Sequence, residues 1–255
     1  MNNNMRNDNS LRKKMSSSNA EEHESLIQQS NYLVRAYAAV YEEILSMADR
    51  HLVRGSNLEI GSAGGFMQQL DPTLITSDIR LTPSLDLRLN GEQLPFKSQS
   101  ISRIYCKDSL HHIPNIREFL GEVVRCVRPG GGISCVEPYW GPLAQVIYRF
   151  AHPEDFVTRT DRWEFDTTSP MDSNQALLYL LTRKHRSIFD EEFPEIEIIE
   201  GRPLTGLSYA LSGGASRRSF FPQNVLERLL TLENNTNFWR KPFGLAYSTV
   251  FRIRE

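Results

Sequence analysis

The chain has 255 residues, of which 40% are hydrophobic and 24% are charged, and its net charge is −2 at neutral pH. This balance is typical of a soluble globular protein and argues against a nucleic acid partner, which usually selects a basic face. The sequence also lacks the ~20-residue apolar run of a membrane span and the apolar core of a signal peptide, so we expect a cytoplasmic protein.

The cysteine pattern predicts neither disulfides nor a metal site. Cys106, Cys126 and Cys135 make an odd number, and no Cys or His cluster has the spacing of zinc ligands. Cys106 and Cys135 lie in apolar runs, so we interpret them as reduced core residues.

The N-terminal part divides into a polar tail and a helix. Residues 1–20 are rich in Asn, Ser and charge and bury too little apolar surface to offset ordering, so they are predicted to be disordered. A single domain is predicted over 21–255. It begins with a helix within 22–54, because apolar residues recur at steps of three and four from Ser25 to Leu52, and Gly55 follows as a stop signal.

Short apolar strands alternate with turns and helices over residues 56–138. The predicted strands are Asn57–Ile60, Leu74–Ser77, Leu85–Leu89, Ser102–Cys106 and Ile133–Val136, and the predicted helices are Phe66–Leu70 and Ile116–Val127. This alternation predicts mostly parallel strands in a Rossmann-like, doubly wound α/β sheet.

The remaining third of the chain is less regular. Insertion or lid segments are predicted at 139–185 and 204–240, and a last helix and strands at 186–203 and 243–254. Arg217 and Arg218 could bind a phosphate or carboxylate, although such arginines more often form a solvated face.

The residues that follow the first three strands are the candidate ligand site, because ligands of an open parallel sheet bind beyond the carboxyl ends of its strands. The glycine-rich run 61–65 either binds a nucleotide-like ligand or makes a tight turn. Asp78 could accept hydrogen bonds from ribose hydroxyls or end its strand in solvent. Asn90 and Gly91 could hydrogen-bond an adenine ring or form a turn.

The order of these motifs resembles that of the class I S-adenosylmethionine-dependent methyltransferases, in the branch called type 11. The similar segments are LEIGSAGGF (58–66), TSDI (76–79), NGEQLPF (90–96), KDSLHHI (107–113) and EVVRCVRPGGGISCVEP (122–138), so the resemblance covers about a third of the chain. It implies a seven-stranded sheet with an antiparallel last strand, a helical acceptor-side insertion, and S-adenosylmethionine as cofactor.

The resemblance also implies a role for individual residues. Glu59 would lie near the methionine amino group, Gly61, Ser62, Ala63 and Gly65 under the methionine and ribose, Asp78 at the ribose, Asn90 and Gly91 at the adenine, and Lys107 and Asp108 beside the cofactor after the fourth strand.

Four features depart from the family pattern. Ala63 replaces the middle glycine of the first motif, a change that is tolerated if its φ is negative. Asn90 stands where the family usually has an acid, and Ile101-Ser102 replaces the Phe-Asp pair that commonly opens the fourth strand. The segment between Asp78 and the third strand is too short for a full helix. These departures leave a non-catalytic relative as an alternative.

Candidate acceptor-side residues follow the fourth and fifth strands. Methyl transfer needs mainly positioning and exclusion of water, because a sulfonium is already activated for displacement. His111 and His112 are candidate bases, or they only cap or pack the next helix. Glu137 could orient an acceptor or bind a backbone N–H. Tyr139 and Trp140 could line an acceptor pocket or anchor the core.

The predicted function is S-adenosylmethionine-dependent O- or N-methylation of a small-molecule, sugar or lipid-linked acceptor. The alternative is a catalytically weak or inactive methyltransferase-like subunit that binds the cofactor and a protein partner. The Leu-Pro-Phe and Pro-Gly-Gly segments disfavour an NAD-dependent oxidoreductase, and the segment KDSL (107–110) disfavours a nucleic-acid methyltransferase. No oligomeric state is predicted.

Overall fold

A computed structural model of the protein describes residues 27–80, 85–152, 154–169, 172–214, 219 and 221–255. The predictions made for residues 1–20, Arg217 and Arg218 therefore lie outside the described residues.

Seven strands form one sheet within the described residues: β1 (Asn57–Ile60), β2 (Ile75–Asp78), β3 (Leu87–Arg88), β4 (Ile101–Lys107), β5 (Val127–Pro138), β6 (Ile196–Thr205) and β7 (Gly244–Ile253). Their spatial order is β3-β2-β1-β4-β5-β7-β6. The first five strands pair in parallel, and β7 runs antiparallel to both β5 and β6. The predicted doubly wound sheet with an antiparallel last strand is thus confirmed, and the point where the strand order reverses lies between β1 and β4.

Helices cover both faces of the sheet: α1 (Asn31–His51), α2 (Ile116–Cys126), α3 (Pro142–Phe150), α4 (Leu177–Tyr179), α5 (Arg186–Glu192), α6 (Leu207–Ser212), α7 (Gln223–Asn235) and α8 (Arg240–Phe243). Side-chain caps fix two of the starts, since Ser30 accepts from the N–H of Leu33 before α1 and Asn115 from that of Glu118 before α2. α4 continues as a π-helical turn over Leu180–Lys184.

The first crossover differs from the prediction. In place of a helix over Phe66–Leu70, a single 3₁₀ turn covers Phe66–Gln69. The reason lies in the next three residues, where the Asp71 carboxylate accepts from the N–H and the hydroxyl of Thr73. Pro72 also disfavours a helical conformation of the residue before it. The chain is therefore turned back into β2 before a helix can extend.

The core has one cluster of buried side chains on each face of the sheet. Tyr41, Ile44 and Ala48 of α1 lie in one cluster, together with Leu226 and Leu230 of α7. The other cluster contains α2, α4 and α5 and the fully buried Trp163. The described residues of segment 204–240 therefore pack over α1, whereas those of segment 139–185 pack on the α2 side.

Two expectations from the sequence concern the cysteines, interpreted as reduced, and membrane-spanning helices, of which none was predicted. Cys106, Cys126 and Cys135 are buried and not disulfide-bonded. Among the described residues, no helix combines the length and the apolar character needed to cross a bilayer.

Candidate functional site

The glycine-rich loop after β1 is fixed against the ends of β2 and β4. The N–H groups of Gly61 and Ser62 both donate to the Ser77 carbonyl, at 3.0 and 2.9 Å. Gly61 has a φ of 76°, and a Cβ there would lie 2.5 Å from Cβ of Ser109, in the loop after β4. Ser109 in turn donates its hydroxyl to the Ile60 carbonyl at 2.8 Å. Glycine is required here because two loops approach too closely for a side chain.

Ala63 does not have the negative φ on which its tolerance was predicted to depend. Its φ is 48°, in the left-handed region, and its N–H donates to the Asp78 carboxylate at 3.3 Å. A left-handed conformation brings the Cβ of an L-residue close to its own backbone. The loop therefore carries strain that the glycine of the family pattern would not.

We expect Ala63→Gly to raise the free energy of unfolding by about 1 kcal/mol, because it removes this steric conflict. Urea unfolding followed by circular dichroism measures the change. The matched control is Ala39→Gly within α1, which should lower stability by about the same amount, since glycine in a helix costs conformational entropy. Equal destabilisation by both variants would contradict the prediction.

Glu59, at the carboxyl end of β1, holds a buried carboxylate that lacks a full set of partners. Its residue is 1% exposed, and no described group hydrogen-bonds to Oε2. Burial raises the pKa of Glu59 to about 7, more than Ser62 and Lys107 lower it. An unsatisfied buried oxygen favours a cationic or N–H donor from a ligand at this position.

Asp78, at the end of β2, is 4% exposed and already bound by a neighbouring arginine. The Arg80 guanidinium donates through Nε to Oδ1 and through Nη2 to Oδ2, each at 3.1 Å. The Arg80 N–H also donates to Oδ1, at 2.9 Å. Sequence reasoning did not foresee Arg80. A ribose that used both oxygens of Asp78 would have to displace this side chain.

Asn90 makes the contact of a turn asparagine, and its contact with adenine stays a prediction. Its side-chain oxygen accepts from the N–H of Glu92 at 3.1 Å, and its residue is exposed. Gly91 lies against Ile113 and Phe119, so a Cβ at this position would contact both side chains. The N–H of Leu89 donates to the Asp78 carbonyl at 3.1 Å, which places the loop after β3 beside the end of β2.

Lys107 and Asp108 form an ion pair at the end of β4. Lys107 Nζ lies 2.5 Å from Asp108 Oδ2 and 4.4 Å from the ring centroid of Tyr37 in α1. Burial alone would lower the pKa of Lys107, but Asp108 outweighs burial and raises it. Asp108 has a φ of 49°, a second non-glycine residue with left-handed backbone near the strand ends.

Glu137 at the end of β5 binds the loop that carries His111. Its Oε1 accepts from the N–H groups of Ser109 and Leu110, each at 2.9 Å. Its Oε2 lies 2.5 Å from His111 Nδ1. Of the two roles predicted for Glu137, the structure therefore places the side chain in the backbone-binding one, with both oxygens engaged.

His111 lies between two carboxylates, which argues against a role as general base. Its residue is 3% exposed, with Nδ1 on Glu137 and Nε2 3.4 Å from Glu154 Oε2. Burial favours the neutral ring, but Glu137 and Glu154 outweigh it and raise the pKa of His111 to about 10. The ring of His111 is therefore an imidazolium, protonated on both nitrogens, at neutral pH.

His112 is more accessible and also faces Glu154. Its side chain is 22% exposed, its Nε2 lies 3.8 Å from Glu154 Oε2, and its Nδ1 lies 3.3 Å from the Asp172 carbonyl. Burial and the neighbouring His111 lower the pKa of His112, so its ring is neutral near pH 7. Its catalytic role stays a prediction.

Tyr139 and Trp140 belong to a partly buried aromatic cluster. The ring of Tyr139 stacks on Tyr247 of β7 at 5.6 Å between centroids, and Trp140 lies 4.9 Å from Tyr247 and 5.6 Å from Tyr179. The Arg183 guanidinium lies 5.6 Å over the Trp140 ring. Their contact with an acceptor stays a prediction.

Glu154 is the main site residue that sequence reasoning missed. It lies four residues after the end of α3, in the irregular segment 139–185. Its carboxylate lies next to His111 and His112, which come more than forty positions earlier in the chain. No local motif marks it, so only the folded arrangement identifies it.

Comparison with known protein families gives a match over about a quarter of the chain. Residues 69–135 match the family described as a methyltransferase domain. The matched part of the chain runs from the end of the 3₁₀ turn after the glycine-rich loop to the middle of β5, and so includes Asp78, Asn90, His111 and His112.

Similar segments occur in two curated methyltransferases. The chain is 36% identical over 58 residues to the ubiquinone/menaquinone biosynthesis C-methyltransferase UbiE of Bartonella bacilliformis, which is 22% of each chain. It is 44% identical over 50 residues to the phthiotriol/phenolphthiotriol dimycocerosates methyltransferase of Mycobacterium tuberculosis, which is 19% of this chain and 18% of that protein. The chain thus matches about a fifth of the length of these curated relatives.

Among solved structures, the YcgJ protein of Bacillus subtilis aligns with 18% identity and a TM-score of 0.44, over 84% of this chain and 99% of that chain.

Proposed function

We propose that the protein is an S-adenosylmethionine-dependent methyltransferase that acts on a small-molecule, sugar or lipid-linked acceptor by O- or N-methylation. The observation that carries the proposal is the buried carboxylate of Glu59, whose Oε2 has no described partner and lies at the switch point of the sheet. The family match over residues 69–135, which include the buried Asp78, supports the same ligand.

The described residues fit the parts of the cofactor. Glu59 would accept from the ammonium group of the methionine part, and the tight turn at Gly61 would let that part approach the backbone closely. Asp78 would hold the ribose after Arg80 moves aside. When bound, the cofactor supplies a methyl group on a sulfonium that is already activated, so the protein's own residues mainly position the reactants and exclude water.

Two observations support an acceptor pocket beside β4 and β5. The rings of Tyr139, Trp140 and Tyr179 are partly exposed, and they pack around the buried ring of Tyr247. Arg183 adds a cation next to these rings. An apolar acceptor with a polar or anionic group would suit this combination.

The second candidate function is a cofactor-binding subunit with little or no activity of its own. Ala63 has a left-handed φ in the glycine-rich loop, and Arg80 hydrogen-bonds to the carboxylate that would hold the ribose. His111 lies between two carboxylates, so it is not free to act as a base. This alternative predicts cofactor binding without turnover, and activity only when a partner protein is added.

Calorimetry with S-adenosylmethionine and with its demethylated product tests the proposal. We expect one equivalent of each ligand to bind, and transfer of a radiolabelled methyl group to an acceptor in an extract of small molecules and lipids. Absence of binding at millimolar ligand would contradict both candidate functions. Binding without transfer would favour the inactive subunit.

The pH dependence of binding gives a sharper test of Glu59. Its pKa is raised to about 7 in the free protein, so the carboxyl is mostly protonated at pH 6 and mostly ionised at pH 8. An ammonium group binds the ionised form, so binding releases a proton and affinity rises with pH. We expect the affinity for S-adenosylhomocysteine to increase about tenfold from pH 6 to pH 8 and to flatten above that.

Glu59→Gln is the matched variant, because it keeps the shape and removes the ionisation. Its affinity for S-adenosylhomocysteine should be lower and nearly independent of pH over the same interval. An unchanged pH profile in this variant would mean that a group other than Glu59 titrates, and would contradict the role proposed for Glu59.

A further inference from the structure

The side chains of His111, His112 and Glu154 form a compact polar cluster that we call the rim cluster. We propose that the rim cluster is a binding site for a divalent transition-metal ion of the Zn²⁺ type. The inference stands apart from the proposed methyl transfer, because it rests on the donor atoms of these three residues alone. It also revises the expectation from cysteine and histidine spacing that the chain has no metal site.

The orientation of both imidazole rings matches that of metal ligands. His111 turns Nδ1 to the Glu137 carboxylate at 2.5 Å, and His112 turns Nδ1 to the Asp172 carbonyl at 3.3 Å. Each ring is thereby left with Nε2 directed at Glu154, and a bound ion would displace the proton from Nε2 of His111. An acceptor on one ring nitrogen fixes the tautomer and raises the basicity of the other, and metal-bound histidines almost always have such a partner.

The distances within the rim cluster are compatible with metal coordination. Glu154 Oε2 lies 3.4 Å from Nε2 of His111 and 3.8 Å from Nε2 of His112, and the three ligand atoms lie within 4.8 Å of one another. Both separations exceed the usual range of N–H···O bonds. Ligand atoms that each lie about 2.0–2.2 Å from a tetrahedral Zn²⁺ are about 3.3–3.6 Å apart. The separation of 3.4 Å therefore fits, and the wider separations, all within 4.8 Å, would shorten on binding.

The carboxylate of Glu154 is itself held in place. Ser173 Oγ and Gln175 Nε2 donate to its Oε2, at 3.0 and 2.9 Å. The side chain of Glu154 is 14% exposed, between the values of 3% for His111 and 22% for His112. The rim cluster is therefore largely shielded from water but accessible from the His112 side.

The donor set determines the class of ion and its coordination. Two imidazoles and one carboxylate are ligands of Zn²⁺ sites and of non-haem iron sites, and three protein ligands leave at least one position open. That position would accept an oxygen or nitrogen atom from a small molecule. The ion would also connect the loop after β4 to segment 139–185, because Glu154 belongs to that segment.

Cobalt binding to the tag-free protein tests the proposal, with Co²⁺ as a spectroscopic stand-in for Zn²⁺. After dialysis against a chelator, we expect one equivalent of Co²⁺ to bind, with visible absorption stronger than that of the aqueous ion, and Zn²⁺ to displace it. Glu154→Gln and His112→Ala should each weaken binding by at least tenfold, since each removes one ligand. Circular dichroism checks that both variants are folded.

His152→Ala is the matched control. His152 lies beside Glu154, whose N–H donates to its Nδ1 at 3.3 Å, yet its ring nitrogens are outside the rim cluster. Its cobalt affinity should stay within about twofold of the unsubstituted protein, because no ligand is lost. The proposal is overturned if the unsubstituted protein binds no cobalt, in which case His111 only bridges Glu137 and Glu154 as an imidazolium. It is overturned equally if Glu154→Gln and His112→Ala bind cobalt as tightly as the unsubstituted chain.

Discussion

Replacement of Glu137 by alanine should lower the free energy of unfolding by about 3–5 kcal/mol. The reason is that Glu137 accepts from two backbone N–H groups and from His111, and all of these partners are buried. Without the carboxylate they lose their acceptor at once, and an unsatisfied buried donor costs about 1–3 kcal/mol. Urea unfolding after dialysis against a chelator measures the loss without any contribution from a bound ion.

The control for this prediction is Glu197→Ala. Glu197 also lies on a strand of the sheet and pairs with Arg252, but both side chains are about one third exposed. A pair that is exposed to solvent contributes at most about 1 kcal/mol. A loss at Glu137 no greater than that at Glu197 would contradict the structural role assigned to Glu137.

Asp78→Ala should weaken binding of S-adenosylmethionine by about 1–3 kcal/mol, because charge-assisted hydrogen bonds to the ribose hydroxyls would be lost. Calorimetry on the variant measures the change at a pH above 8, where Glu59 is ionised in the free protein. An unchanged affinity would place the ribose away from the end of β2.

Arg80→Ala distinguishes loss of the contact between Asp78 and the ribose from loss of the ion pair between Asp78 and Arg80. The variant breaks the same ion pair as Asp78→Ala but leaves the carboxylate free. We therefore expect its affinity for the cofactor to be equal to or higher than that of the unsubstituted protein. A parallel decrease in both variants would mean that the ion pair supports the fold of the loop rather than the ligand.

The sheet and the positions of the strand ends could be predicted from sequence because they depend on local alternation of apolar segments and turns. Asn57–Ile60 was predicted with its observed bounds, and Asp78 was expected at the carboxyl end of the second strand, where it lies. The prediction of a helix after the first strand was wrong, because the turn at residues 71–73, which contains Pro72, ends the helical conformation that the apolar pattern before it indicates.

The electrostatic details of the candidate site could not be predicted, because they depend on side chains that meet only after folding. The competing partner Arg80 lies two residues from Asp78, but its orientation back onto that carboxylate has no sequence signal. Glu154 arrives through an irregular segment, and the positive φ of Ala63 follows from how its loop is held to β2. The partners of a buried charge and the sign of a residue's φ depend on how the loops pack against each other, and not on their local sequence alone.

The position of β7 has a consequence for how the protein folds. β7 lies between β5 and β6 and pairs with both, although it follows them along the chain. During synthesis on the ribosome, β6 therefore emerges without a neighbouring strand, and its backbone groups stay unpaired until residues 244–253 have been added. Such long-range pairing is slow and exposes strand edges to aggregation. The interval between translation of β6 and of β7 is thus the stage at which the nascent chain would depend most on a chaperone.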